Sequence, residues 1–200
     1  RTVVQARLVT NPGRVLSGND AASWSAYTSG RVDNVDYAYG TLDIGRVTRL
    51  PAGFAYVTQF SGLLGDQALP DTDQLAIGGM MATRGYVLDD ASVDKGFFWR
   101  NELRLPAFPV LGGIGAFKGT SDELSPYGFL DLGYGYNYGF NGPLAPVSSR
   151  TTHMAGIGAG LDYRSGDHLQ AGVVAGYALS SAGSTAAGDW TIQARLFISY

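Results

Sequence analysis

The sequence predicts an all-β chain: the C-terminal half of an antiparallel transmembrane β-barrel, with about eight strands and one long loop inserted into the lumen. Three observations carry this prediction. Apolar residues alternate with small or polar ones at period two in many segments. Charge is scarce, 16% of 200 residues against about a quarter in soluble domains. Connections alternate between short and long, as in outer-membrane barrels with tight turns on one side and longer loops on the other.

Period two is the signature of a strand, because successive side chains point to opposite faces, whereas a helical face recurs every three or four residues. Segment 97–105 places Phe97, Trp99, Asn101, Leu103 and Leu105 on one face and Phe98, Arg100, Glu102 and Arg104 on the other. In 128–136, Leu130, Leu132, Tyr134 and Tyr136 oppose Phe129, Asp131 and Gly133. In 154–163, Ala155, Ile157, Ala159, Leu161 and Tyr163 oppose Gly156, Gly158, Gly160 and Asp162.

Segment 168–179 sets Leu169, Val173, Tyr177 and Leu179 against a small or polar face. The closing segment, 189–200, aligns Trp190, Ile192, Ala194, Leu196, Ile198 and Tyr200 against Thr191, Gln193, Arg195, Phe197 and Ser199. Further strands are expected in 2–9, 37–47 and 53–62. Between them, 50–53 and 164–167 read as tight turns, and 65–95, 137–152 and 180–188 as long loops; 106–126 should be short under this scheme and is not.

The uncharged stretch 169–188 is long enough for a transmembrane helix, but its apolar part ends at Leu179. A span near ten residues suits a tilted barrel strand, whereas a helix needs about 20. A single outward face of Leu, Val, Ile, Trp and Tyr needs either hydrocarbon or a second sheet. Patterning leaves both a lipid-embedded barrel and a β-sandwich open.

Several chemistries are set aside. The chain has no cysteine, a net charge of −3 and a pI near 5.2, which removes thiolate chemistry and gives no basic cluster for nucleic acid. The glycines around Arg84 lack the Lys-Ser/Thr ending of a phosphate loop. His153 and His168 are isolated from other ligands, read as rim residues, and give no metal site. Asp71, Asp73, Asp89, Asp90 and Asp94 lack ordered Ca²⁺-loop spacing and read as a solvated loop. Ser165, Asp167 and His168 could form a hydrolytic group only through geometry that sequence does not supply. No cofactor and no enzymatic activity are expected.

The motifs decide between barrel and sandwich. A Gly78–Gly79 pair precedes Arg84-Gly85-Tyr86, a Phe129-x-Asp131-x-Gly133 element follows, and Asn101 to Pro106 reads Asn-Glu-Leu-Arg-Leu-Pro between them. In this order they resemble the two-partner secretion transporters of the haemolysin secretion/activation type, within the outer-membrane assembly-factor superfamily. Arg46, Arg49, Leu50 and Pro51 before the loop and the aromatic C-terminus also fit. Thr83 departs from the Val or Ile usual in the family before the arginine.

The resemblance implies a barrel of about sixteen strands, of which residues 1–200 form the C-terminal part, with the loop at about 66–95 folded into the lumen. It implies that Arg84 reaches Glu102 and Asp131 as a clamp, with Phe129 and Gly133 beside it, and that Tyr200 ends the strand signal read by the barrel-assembly machinery. It implies a pore in the bacterial outer membrane that secretes a large partner polypeptide, with membrane lipid as a further partner. The alternatives are a barrel assembly and insertion factor of the same superfamily, a passive porin or a barrel hydrolase. Arg1 at the start, with no initiator Met or signal stretch, reads as the beginning of a segment, and the family's periplasmic modules and plug helix would lie upstream.

Overall fold

A computed structural model describes residues 1–13, 15, 17–112, 121–142 and 144–199. Tyr200 lies outside the described residues. Eight strands form one antiparallel sheet in the order β1 (Thr2–Thr10), β2 (Ala38–Arg49), β3 (Ala55–Gly65), β6 (Lys95–Arg104), β7 (Asp122–Asn137), β10 (Arg150–Ser165), β11 (Leu169–Ala178) and β12 (Trp190–Ile198). Two short hairpins, β4 (Leu75–Ala76) with β5 (Ser92–Val93) and β8 (Phe140–Asn141) with β9 (Pro146–Val147), sit within long connections. Every neighbouring pair in the large sheet is consecutive along the chain once these hairpins are set aside, the meander expected of an up-and-down barrel.

A β-sandwich would place a second sheet against the apolar face. Instead, Leu103, Leu130, Ile157, Leu161, Val173, Ile192 and Leu196 are exposed on one face of the single large sheet. The opposite face carries the buried groups Phe98, Glu102, Tyr127, Phe129, Asp131, Met154 and Val174. This is the inside-out arrangement that hydrocarbon solvent selects, since only a closed sheet leaves no backbone group unpaired in lipid. What buries the concave face is the loop between β3 and β6. Its Ile77, Tyr86, Ala91 and Val93 pack on Phe98, Met154, Ala178 and Ala182.

The tight turns follow local chemistry. Between β2 and β3, Pro51 fixes one φ, while Ala52 (φ 58) and Gly53 (φ 80) take positive values and Leu50 N–H donates to Phe54 O at 2.9 Å. Glycine accepts that region without steric cost. Between β10 and β11, Gly166 (φ 55) has the same role.

Two differences from the sequence reading have physical causes. First, β7 begins at Asp122, several residues before the segment identified by alternation, and Phe108 forms a bridge with Leu124. The end of the anomalously long 106–126 connection, from Asp122, is therefore strand, and Phe108 bridges to it, obscured because Pro126 interrupts the pattern; 113–120 lie outside the described residues. Second, a helix, α1 (Ala21–Tyr27), occupies the β1–β2 connection. Asp20 caps it by accepting from Ser23 N–H at 2.9 Å, and Trp24 packs on the Val32, Tyr37, Leu63 and Leu69 cluster. Seven residues are too few for a helical period to stand out.

Candidate functional site: the arginine at the loop tip

The loop reaches Arg84 through a glycine turn. Gly79 (φ 98) reverses the chain, Ala82 N–H donates to Gly79 O at 3.1 Å, and Thr83 N–H returns to Ile77 O at 3.0 Å. A side chain at Gly78 would collide with Val87 O at 2.7 Å, and one at Gly85 (φ 100) would press on the Tyr177 backbone at 3.1 Å. The paired glycines and Gly85 are thus positions where the backbone itself is the contact surface.

Arg84 is 1% exposed and projects onto the concave wall. Its Nε donates to Asp131 Oδ2 at 2.6 Å, its Nη2 to Asp131 Oδ1 at 2.8 Å and its Nη1 to Glu102 Oε1 at 2.6 Å. The Arg84 backbone N–H adds a bond to Asp131 Oδ2 at 3.1 Å. The guanidinium lies 3.9 Å from the Phe129 ring centroid. A planar fork can hold one carboxylate through two bonds and still reach a second, which a lysine ammonium cannot reproduce. Gly133 lies under Thr83, where an added Cβ would meet the threonine Oγ1 at 2.7 Å.

Tyr86 completes the anchorage. It is fully buried; its hydroxyl accepts from Ala155 N–H at 3.1 Å and donates to Ser180 O at 2.7 Å. The tip is therefore fixed to β6 and β7 through charge and to β10 and the β11–β12 connection through a phenol.

Glu102 is shared by other cations. Arg104 Nη2 lies 2.8 Å from its Oε2 and 2.9 Å from Asp162, which in turn meets Arg195 Nη2 at 2.8 Å. Arg100 Nη2 is 3.3 Å from Glu102 Oε1. A chain of alternating charge thus runs along the inner wall from the loop tip across to β12.

The family model described as haemolysin secretion/activation protein ShlB/FhaC/HecB matches residues 8–163. The chain belongs to this family, the two-partner secretion transporters. Among curated relatives of the family, the heme/hemopexin transporter protein HuxB of Haemophilus influenzae (strain 86-028NP) is 28% identical over 116 residues, 57% of this chain and 19% of that protein. Among solved structures, CdiB from Escherichia coli superposes with a TM-score of 0.71 at 20% identity, over 98% of this chain and 33% of that one. The latter similarity is one of fold. The chain spans about a fifth of the HuxB length and a third of CdiB.

Other residues named by the sequence are not brought together. Ser165, Asp167 and His168 share no hydrogen bond among the described residues; His168 Nδ1 lies 3.1 Å from Ser199 O. His153 and His168 sit on separate strands or turns, and no cluster of three or more metal-ligating side chains occurs among the described residues.

Of the five acidic loop residues, Asp71 and Asp89 are exposed as a solvated loop requires, Asp73 is half-buried, and Asp90 and Asp94 correct the reading. Asp90 is 6% exposed and Asp94 wholly buried. Asp94 accepts from Arg31 Nη2 at 3.0 Å, Leu69 N–H at 2.9 Å, Gln74 Nε2 at 2.9 Å and Tyr138 N–H at 2.8 Å. Asp90 accepts from Ser184 N–H at 2.7 Å, Ser184 Oγ at 2.8 Å and the Thr185 hydroxyl. Carboxylates with several donors are structural ties between loops. Sequence could not pair them, because their partners lie up to 95 residues away.

The seat under the tip was also missed, although its signal was visible. An added Cβ at Gly156 would strike Arg84 O, and one at Gly176 would meet Gly85 N at 2.6 Å. Alternate glycines on the inward face of β10 and β11 let another backbone approach, the meaning such glycines carry in strands.

Proposed function

We propose that the full-length protein is an outer-membrane pore that secretes a large partner polypeptide, and that Arg84, with Glu102 and Asp131, positions the inserted loop within that pore. Family membership supports the export role, and the single observation that carries the positioning role is Arg84, nearly inaccessible to solvent, bonded to carboxylates on two adjacent strands of the inner wall. An extended polypeptide carries unpaired backbone N–H and C=O groups, so a path lined by Arg100, Arg104, Asp162 and Arg195 offers it a polar route through the membrane. No covalent chemistry is assigned to these residues.

The clamp acts by position more than by net stability. Desolvation offsets much of a buried ion pair's attraction, yet removing one partner leaves uncompensated charge at a cost of about 3–5 kcal/mol. In Arg84→Ala, Glu102 keeps Arg100 and Arg104, but Asp131 loses both side-chain donors of Arg84. The loop tip should leave the wall.

The test is secretion of the partner by the full-length transporter with Arg84→Ala or Arg84→Lys, at matched amounts in the outer membrane. Alanine should lower export by roughly ten-fold or more, and lysine should restore only part, since a point charge cannot serve both carboxylates. Normal export by both variants would remove the clamp from the mechanism. Membrane lipid and the barrel-assembly machinery are the further partners of this reading: deletion of Tyr200 should reduce folded barrel in the outer membrane, measured by heat-modifiable mobility.

A further inference from the structure

The lipid-facing surface of the sheet carries a notch. On this face Gly40 is paired with Leu64, Leu42 with Gly62, and Gly62 with Phe97, so two adjacent strands lack a side chain at neighbouring positions. The resulting groove has a volume of about 480 Å³ and is walled by Leu42, Phe60, Leu64 and Phe97. Its walls are almost wholly apolar except at one end, where Lys95 stands.

Lys95 opens β6 directly after the inserted loop, at the end of the sheet away from the tight turns at 50–53 and 164–167. Its Nζ donates to Tyr138 Oη at 3.1 Å and lies 4.6 and 4.5 Å from the ring centroids of Tyr136 and Tyr138. Among the described residues no carboxylate forms an ion pair with it. An ammonium has three donors. One is used by Tyr138, and the others remain for an anion.

A lysine on a lipid-facing strand ordinarily swings its flexible stem toward water. Here two phenols hold the cation at the mouth of an apolar channel. We infer that this groove binds an acylated lipid whose phosphate meets Lys95 and whose hydrocarbon chain lies over Gly40 and Gly62. A free phosphate would leave the groove unused, and an uncharged lipid would leave the ammonium without a counter-charge. The combination selects a phosphate-bearing lipid of the leaflet next to the loop. The inference rests on the membrane-pore reading above.

The experiment uses the full-length transporter in nanodiscs of phosphatidylethanolamine containing either bisphosphorylated lipid A or its dephosphorylated form, with retained lipid counted by native mass spectrometry. Wild type should retain one lipid with about a five-fold preference for the phosphorylated form, the contribution of one lysine near an anionic surface. Lys95→Gln should abolish the preference and keep the chain, whereas Gly62→Leu, which fills the notch, should lower retention of both forms. Gly40→Leu serves as an independent filling variant should Gly62→Leu fail to assemble.

Unchanged retention in the lysine and filling variants would overturn the proposal, as would full displacement by inorganic phosphate alone, which would make this a simple anion site. Partner export by the same variants separates the two readings. An exporting pore without lipid selectivity sinks the groove alone. A protein that neither inserts nor exports sinks the pore reading on which the groove depends.

Discussion

At the scale of single residues, Thr83 is the least comfortable member of the loop tip. It is fully buried, and its Oγ1 has no hydrogen-bond partner among the described residues. Burying a hydroxyl without a partner costs about 1–3 kcal/mol. Valine has nearly the same shape and no polar atom, so Thr83→Val should strengthen loop docking by about 1 kcal/mol. Limited proteolysis of the inserted loop in the folded transporter measures this; cleavage as fast as or faster than in wild type would mean that the hydroxyl is satisfied in solution. The contrast with Arg84 shows what the sequence could reveal here. Glu102 and Asp131 were legible from strand parity, and Arg84 from a motif that resembles the family's. The cost at Thr83 was not, since it depends on how closely Gly133, distant in sequence, approaches its hydroxyl.

At the scale of elements, the inserted loop has two attachments with different chemistry. The tip is held by Arg84 and Tyr86, while its returning limb is tied to the β11–β12 connection through Asp90. Burial alone would raise the Asp90 pKa, but the Thr185 and Ser184 hydroxyls and the Ser184 and Val87 N–H groups outweigh it and hold the carboxyl below its ordinary value. A group depressed in this way stabilises the docked loop above the ordinary carboxylate range and loses that contribution as pH falls through its lowered value. The tie should therefore be intact at neutral pH and weaken progressively as pH falls below the ordinary carboxylate range. In Asp90→Asn the acid-induced loosening should shrink, with looser docking already present at neutral pH. Hydrogen exchange across 87–95 at the two pH values checks this; an equal acid response in variant and wild type would exclude Asp90 as its source.

The strands were readable because alternation is a local property. The ties between loops were not, because Asp90 and Asp94 meet partners brought near only by the sheet's curvature. The glycines at 156 and 176 lie between these cases. Their spacing is local, but their purpose becomes visible only when the Arg84 and Gly85 backbone rests on them.

At the scale of the whole molecule, the decisive feature is that, among the described residues, β1 and β12 each pair on one side only. An unpaired strand edge cannot be left in hydrocarbon, where no water satisfies its N–H and C=O groups. Two closures are conceivable: β1 could pair with β12 in a narrow eight-stranded barrel, or further strands could complete a wider one. The match of nearly the whole chain to one third of CdiB favours the wider closure, and the inserted loop needs lumen space that a side-chain-filled eight-stranded barrel would not provide. Cysteines can separate the two. Val173 and Ala194 are register partners on the outward, exposed face of β11 and β12, at the spacing a disulfide bridges. They should crosslink readily on oxidation in the full-length transporter. Ala6, on the same face of β1, paired with Leu42, should not crosslink to a cysteine at Ala194, because other strands would stand between them. Efficient coupling of Ala6 with Ala194 would demonstrate direct β1–β12 closure and displace both the wide lumen and the export path that depends on it.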